Sequence, residues 1–443
     1  MDSARPLAWR LGLPPAAAPL TDRAEIDRLY RYWRLRVMYA MTTGYALYYL
    51  LRKNLSMAAK PICDQYGFSN TQWGLVLSAA TIVYAFSKFF SGLIGDRANP
   101  RYLMAAGLFL SALVNLAFGF GAGLATFIVL WALNNLFQGA GSPPCFRLLA
   151  HWFSPGEIGR AWGIWNASHQ VGGALIALGA GVLVTRFGWR SAFWVPAGVC
   201  LLGAAWLVNR LTDSPEAMGL PPVEVYREGA PPPPPAVHGP GFWDIFRAHI
   251  LTNRWVWIVS AANFFVYVVR IGVLDWAPKY LVETKGFTLA EAGVSLSAFE
   301  AAGIFGAYAA GWISDKLNGR RGPVSVFFLL LLVVAVALLF RVPPGQRLVM
   351  AVLFGAMGFF VYGPQMLIAV AAADFATKVA ASSAVGLTGL LGYIGATVSG
   401  LCTGLLVDRY GWNGALWFYG LSALVGGALL AVTWNQTVRA ARA

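Results

Sequence analysis

The chain has 443 residues, 58% of them hydrophobic and only 12% charged, with a net charge of +14. Soluble domains carry about a quarter charged residues, so this composition excludes a soluble globular protein and points to one embedded in lipid. In that setting the basic excess reflects the positive-inside rule rather than nucleic-acid binding. The scattered Cys63, Cys145, Cys200 and Cys402 form neither a disulfide framework nor a metal site, and no metal or cofactor is expected.

Residues 1–35 are polar and include Arg5, Arg10, Arg23, Arg28, Arg31 and Arg34. They read as a cytoplasmic segment with no cleavable signal peptide. Apolar stretches of roughly 20 residues, the length of a bilayer crossing, follow near 36–58, 71–95, 102–121, 124–150, 160–184 and 190–210. A second set lies near 254–281, 290–314, 322–341, 347–374, 378–406 and 413–435. Between them, the polar stretch 211–253 includes Pro231 to Pro235 and reads as a cytoplasmic linker. The sequence therefore predicts an all-α membrane protein of twelve transmembrane helices. An N-terminal bundle covers 36–210, a C-terminal bundle covers 254–435, and a short cytoplasmic tail covers 436–443. Basic residues in the turns (Arg97 and Arg101, Arg160, Lys316, Arg320 and Arg321, Arg439 and Arg442) place both termini in the cytoplasm.

The two halves echo each other. "GLIGDRANPR" from Gly92 and "GWISDKLNGRR" from Gly311 each follow the second span of a half, and Asp96 and Asp315 differ by 219 positions. Arg52 in "YYLLRKN" and Arg270 in "YVVRIGVLDW" differ by 218, and Trp189 and Trp412 by 223. A duplicated unit with parallel repeats puts its substrate site between the halves, near the midplane. An arginine at mid-bilayer costs about 2.5–3.5 kcal/mol even on the mildest scale. Snorkelling explains one such residue; it explains a symmetric pair much less well. Arg52 and Arg270 are therefore candidate ligands for an anion.

Other polar residues within the spans extend the candidate site. His169 and Lys88 are candidate ligands. Tyr45, Tyr48, Tyr267, Tyr362 and Tyr393, with Trp276, lie on or near the arginine-bearing spans or beside glycine-rich stretches, where a hydroxyl can meet an organic group. Lys53 points about 100° away from Arg52 on a helix and reads as a snorkelling or salt-bridged residue. Asp275 and Glu300 are intramembrane acids, expected to hold a cation (Lys88, Lys53 or Arg270) or to carry protons. Asp96, Arg97, Arg101, Asp315 and Lys316 read as cytoplasmic gate residues. The chain has no G-x-x-x-x-G-K-[ST] phosphate loop and no catalytic triad or paired catalytic carboxylates above background, so ATP-driven pumping and enzymatic activity are set aside.

The G-x-x-x-D-R turn resembles the signature of the major facilitator superfamily. Longer stretches resemble its organophosphate:phosphate antiporter family: "GYALYYLLRKN", "YAFSKFFSG", "GSPPCFRLLAHWFSPGEIGRAWGIWNASHQVGGALI", "FVYVVRIGVLDWAPKYL" and "FFVYGPQMLIAVAAA". The resemblance implies two six-helix bundles around a central cavity and a carrier exchanging an organophosphate, such as glucose 6-phosphate or glycerol 3-phosphate, for inorganic phosphate. It implies a monomer in the bacterial-type inner membrane. The family's essential arginines fall on Arg52 and Arg270, and its fifth-span histidine on His169. Some members carry an extra eleventh-span lysine where this chain has Thr388. Two alternatives stay open: a non-transporting sugar-phosphate sensor of the same fold acting through a membrane histidine kinase, and a proton-coupled organic-anion symporter.

Overall fold

The computed structural model describes residue 12 and residues 14–95, 98–154, 156–229, 246–376 and 380–436. In chain order the helices are α1 (Arg23–Leu50), α2 (Asn54–Tyr66), α3 (Asn70–Gly95), α4 (Pro100–Phe118), α5 (Leu124–Gln138), α6 (Ser142–Trp152), α7 (Ile158–Asn166), α8 (Ser168–Phe187) and α9 (Ser191–Arg210). After the short α10 (Val223–Glu228) come α11 (Arg254–Lys285), α12 (Leu289–Lys316), α13 (Arg321–Leu339), α14 (Arg347–Phe375) and α15 (Ala381–Ala431). Helices dominate because backbone polar groups have no water partner in lipid and are satisfied within each segment.

Nine stretches among the described residues are long and apolar enough to cross a membrane. The twelve spans fit this number once three exceptions are resolved. The last stretch, Ser383–Ala431, holds two spans joined at Gly411, whose φ of 67° and ψ of −173° break the helix. The first span is split into α1 and α2 around Arg52 and Lys53. The eighth, α12, is rich in Gly, Ala and Ser and carries Glu300. The first span is longer than sequence predicts: Asp22 caps α1 by accepting from the Ala24 amide at 3.0 Å, well before residue 36.

α1 starts at one face of the bundle, termed proximal, and α2 ends at the other, termed distal. The duplication is explicit at the distal face. Gly67 and Gly286 both end their helices in the left-handed conformation, at φ of 67° and 68°. Ser69 with Gln72, and Thr288 with Glu291, then form matching capping boxes at the starts of α3 and α12. Lys60 pairs with Asp64 as Lys279 does with Glu283. The indole of Trp189 donates to Gln65 and that of Trp412 to Glu283.

The halves meet along two pseudo-symmetric seams. A Cβ on Gly74 of α3 would sit 2.5 Å from the Gly400 carbonyl of α15; one on Gly293 of α12 would sit 2.3 Å from the Ala177 carbonyl of α8. Only glycine allows such backbone approach. The α3–α15 seam has one addition without a counterpart. The Asp408 carboxylate of α15 accepts from the Asn70 and Thr71 amides at the start of α3 (3.1 and 2.7 Å) and from their side chains (2.8 and 2.6 Å). It caps a helix of the other half, where opposite charge complements the helix dipole. Lys279 donates to Asn70 across the same boundary. At the proximal face, ion pairs among the described residues stay within one half or its adjoining linker: Arg34–Glu157, Arg227–Glu157, Arg321–Asp315 and Arg321–Asp374. The distal face is latched.

The linker departs from an extended spacer in its first part. Asp213, 3% exposed, takes both guanidinium arms of Arg147 at 2.8 and 3.2 Å, and Tyr226 stacks on Tyr30 at 3.9 Å. Residues 211–229 thus pack on the N-terminal bundle. Pro231 to Pro235 lie outside the described residues.

Candidate functional site

Between the halves a closed ring of side chains surrounds the pseudo-symmetry axis. Arg52 lies over the face of Tyr84, 3.7 Å from its centroid. Tyr84 meets Tyr393 edge-on at 4.9 Å, and Tyr393 meets Tyr267 at 5.4 Å. Arg270 lies 5.7 Å from the Tyr267 ring and 4.5 Å from that of Tyr362, to whose hydroxyl it donates at 3.0 Å. Tyr362 faces His169 at 6.0 Å, His169 faces Tyr49 at 5.5 Å, and Arg52 closes the ring 5.6 Å from Tyr49. Tyr49, Arg52, Tyr84 and His169 come from the N-terminal half; Tyr267, Arg270, Tyr362 and Tyr393 come from the C-terminal half.

The ring is strongly electropositive. Guanidinium groups keep their charge at any physiological pH, and both rest on aromatic faces, an attraction available without a counter-ion. Lys88 adds a third cation, 5.5 Å from the Tyr393 ring. Beyond Arg52 a small cavity of about 30 Å³ is lined by Arg52, Lys53, Asn135, Asp275 and Tyr393 among others. Such a volume suits about one water molecule. Two guanidiniums with Tyr and His donors on opposite halves make a site for an oxyanion, which they would bridge by forked, charge-assisted hydrogen bonds.

The acids sit at the edge of this site. Lys53 binds Asp275 across the halves at 2.9 Å, with side chains 11% and 16% exposed. Glu300, 1% exposed, is reached by the Tyr362 hydroxyl at 2.5 Å, so it touches Arg270 through Tyr362 and not directly. Its other oxygen has no partner and lies against Gly173.

Of the sequence candidates, Arg52, Arg270, His169, Tyr267, Tyr362 and Tyr393 converge on the ring, with Lys88 beside it. Tyr45 lies just behind, stacked on Trp165 at 4.9 Å and edge-on to Tyr49 at 5.6 Å. Tyr48 does not belong: it is 1% exposed, and its hydroxyl donates to the Met104 carbonyl inside the N-terminal bundle. Trp276 is likewise buried, next to Trp412. Thr388 packs between Ser260 and Asn263, away from the ring. Asp315 pairs with Arg321 at 2.7 Å, Lys316 lies over Trp312 and Arg101 over Tyr102. Asp96 and Arg97 lie outside the described residues. Tyr49 and Tyr84 were missed by sequence reasoning; each stands three or four positions before a cation, Arg52 and Lys88, the spacing that puts side chains on one helix face.

The family model of the major facilitator superfamily matches residues 41–400. A probable hexose phosphate transport protein from Chlamydia pneumoniae is 39% identical, over 97% of each chain. The glycerol-3-phosphate transporter of Bacillus subtilis (strain 168) is 41% identical, over 95% of this chain and 96% of its own. Membrane sensor protein UhpC of Escherichia coli (strain K12) is 39% identical, over 96% and 98%. Among solved structures, a bacterial homologue of the human lysosomal transporter Spinster in its inward-facing, unoccupied conformation superposes with a TM-score of 0.73. It is 17% identical and covers 93% of this chain and 97% of its own.

Proposed function

As a member of the major facilitator superfamily, and within it of the organophosphate:phosphate antiporter family, this chain is a multi-pass membrane transporter, and we propose that it exchanges a phosphate ester for inorganic phosphate. The observation that carries this reading is the ring itself, with Arg52 and Arg270 on opposite halves at positions related by the repeat. A phosphate monoester brings close to two negative charges at neutral pH and offers oxygens to both forks. Binding draws the halves together by neutralising two cations that repel each other when the site is empty. The empty site then reorients poorly, which is why exchange is expected rather than uniport. The latch joins the halves at the distal face; with the termini in the cytoplasm, that is the outward side of a carrier in a bacterial inner membrane. Tyr267, Tyr393 and Lys88, on or beside the ring, are the groups offered to the organic part of the substrate. The substrates named for the relatives suggest a sugar phosphate or glycerol 3-phosphate.

Asp275 is held by Lys53 in an ion pair across the halves, which favours exchange over proton symport at that acid. The sensor relatives are as similar as the transporters, so a sensor remains the competing reading. Counterflow of labelled phosphate in proteoliposomes, with glucose 6-phosphate and glycerol 3-phosphate as competitors, separates the two. Saturable counterflow inhibited by either ester supports the carrier; ester binding with no phosphate flux refutes it in favour of the sensor.

A further inference from the structure

The first span of the N-terminal half is broken where its repeat partner is not. α1 ends at Leu50 and α2 begins at Asn54, while α11 runs unbroken from Arg254 through Arg270 to Lys285. No proline or glycine lies in the stretch 48–56. One cause of such a break is a side chain inserted into the helical hydrogen-bond ladder.

The insertion is visible in the structure. The Leu51 carbonyl accepts from Asn134 Nδ2 at 2.9 Å and from Asn115 Nδ2 at 3.4 Å. Asn115 also donates to Asn134 Oδ1 at 2.9 Å, Ser111 Oγ donates to the same oxygen at 2.6 Å, and Gln138 Nε2 donates to Ser111 Oγ at 2.8 Å. From the other side, Asn54 Nδ2 donates to Asn115 Oδ1 at 2.9 Å and to the Ala192 carbonyl at 3.0 Å. Asn54, Ser111, Asn115 and Asn134 are fully buried. Polar groups at this depth are costly unless paired, and networks of this kind fix one geometry. Here two helices, α4 and α5, aim their amides at a single carbonyl, one residue before Arg52.

We propose that Asn115 and Asn134 are positioning residues for substrate binding. By capturing the Leu51 carbonyl they take it out of the helical ladder, end α1 there and fix the turn 51–53 that carries Arg52 onto Tyr84 and Lys53 onto Asp275. The inference rests on the reading of Arg52 as a phosphate ligand.

The test is counterflow of labelled inorganic phosphate into proteoliposomes by native protein, Asn134→Leu, Asn134→Asp, Asn115→Ala, Ser111→Ala and Arg52→Lys, with the melting temperature of each purified protein. Asn134→Asp keeps the shape and loses the donor. The expected result is a rise of fivefold or more in the half-saturating phosphate concentration for whichever Asn134 and Asn115 variants reconstitute. Ser111→Ala, which leaves both bonds to Leu51 in place, is expected to stay within twofold of native. A purely structural role would lower the melting temperature and leave half-saturation native; that outcome, or an equal shift in Ser111→Ala, overturns the proposal. Arg52→Lys separates the two layers. If it exchanges normally, the assignment of Arg52 has failed. If it is inactive while the asparagine variants saturate as native protein does, only the positioning role has failed.

Discussion

Asp408→Asn removes one charge and one acceptor oxygen at the point where the C-terminal half caps α3. The native carboxylate takes four hydrogen bonds, two of them from the Asn70 and Thr71 amides. Asparagine keeps one acceptor and turns its own NH2 toward those donors. Hydrogen bonds to a charged group contribute about 1.5–3 kcal/mol against about 1 for neutral ones, and a charge at a helix N-terminus adds about 0.3–1. Asp408 is exposed, and water and salt take up part of this, so about 1–2 kcal/mol is the reasonable net loss. Because the contact joins the halves only when the distal face is shut, the loss shifts the equilibrium toward distal opening by roughly fivefold to thirtyfold. Native Cys63, on α2 near the distal end and 4% exposed, reports that opening. With Cys145, Cys200 and Cys402 replaced by alanine, its alkylation by a charged maleimide should accelerate by that factor in Asp408→Asn. Glu25→Gln, at the exposed Arg28–Glu25 pair near the proximal end, should leave it unchanged. An unchanged rate in Asp408→Asn would show that this carboxylate does not hold the latch.

Other outcomes follow from the same geometry. Gly74→Val places a Cβ 2.5 Å from the Gly400 carbonyl; it should prop the distal seam open, speed Cys63 alkylation and abolish phosphate counterflow in correctly inserted protein. Tyr362→Phe deletes the bonds to Arg270 and Glu300 and should weaken phosphate binding about tenfold or more, the effect of leaving buried charged groups unpaired, as read by half-saturation in counterflow. Asp275→Asn should lower the melting temperature of purified protein more than Asp275→Asn combined with Lys53→Met. Removing one partner of a largely buried pair strands the other charge, whereas removing both does not.

The broad architecture was legible because the bilayer imposes a length and a hydropathy on each span. The arginine pair was legible because its spacing of 218 agrees with the 219 between Asp96 and Asp315. The break at 51–53 was not, since its cause lies in asparagines more than sixty positions away, held there by tertiary packing. Tyr48 was favoured over Tyr49 for a different reason. Spacing from Arg52 admits both, and since the two point about 100° apart on α1, only the packing of that helix shows that Tyr48 enters the bundle core while Tyr49 meets His169. Asp408 escaped notice because a single acid at a span end reads as solvated, and its partners belong to the other half.

The central claim is that Arg52 and Arg270 together clamp the phosphate, and charge-preserving replacement tests it most directly. Phosphate counterflow by Arg52→Lys and by Arg270→Lys, at reconstitution levels matched to native protein, is expected to vanish in each, because lysine keeps the charge and loses the planar fork. Near-native exchange by either variant would contradict the clamp.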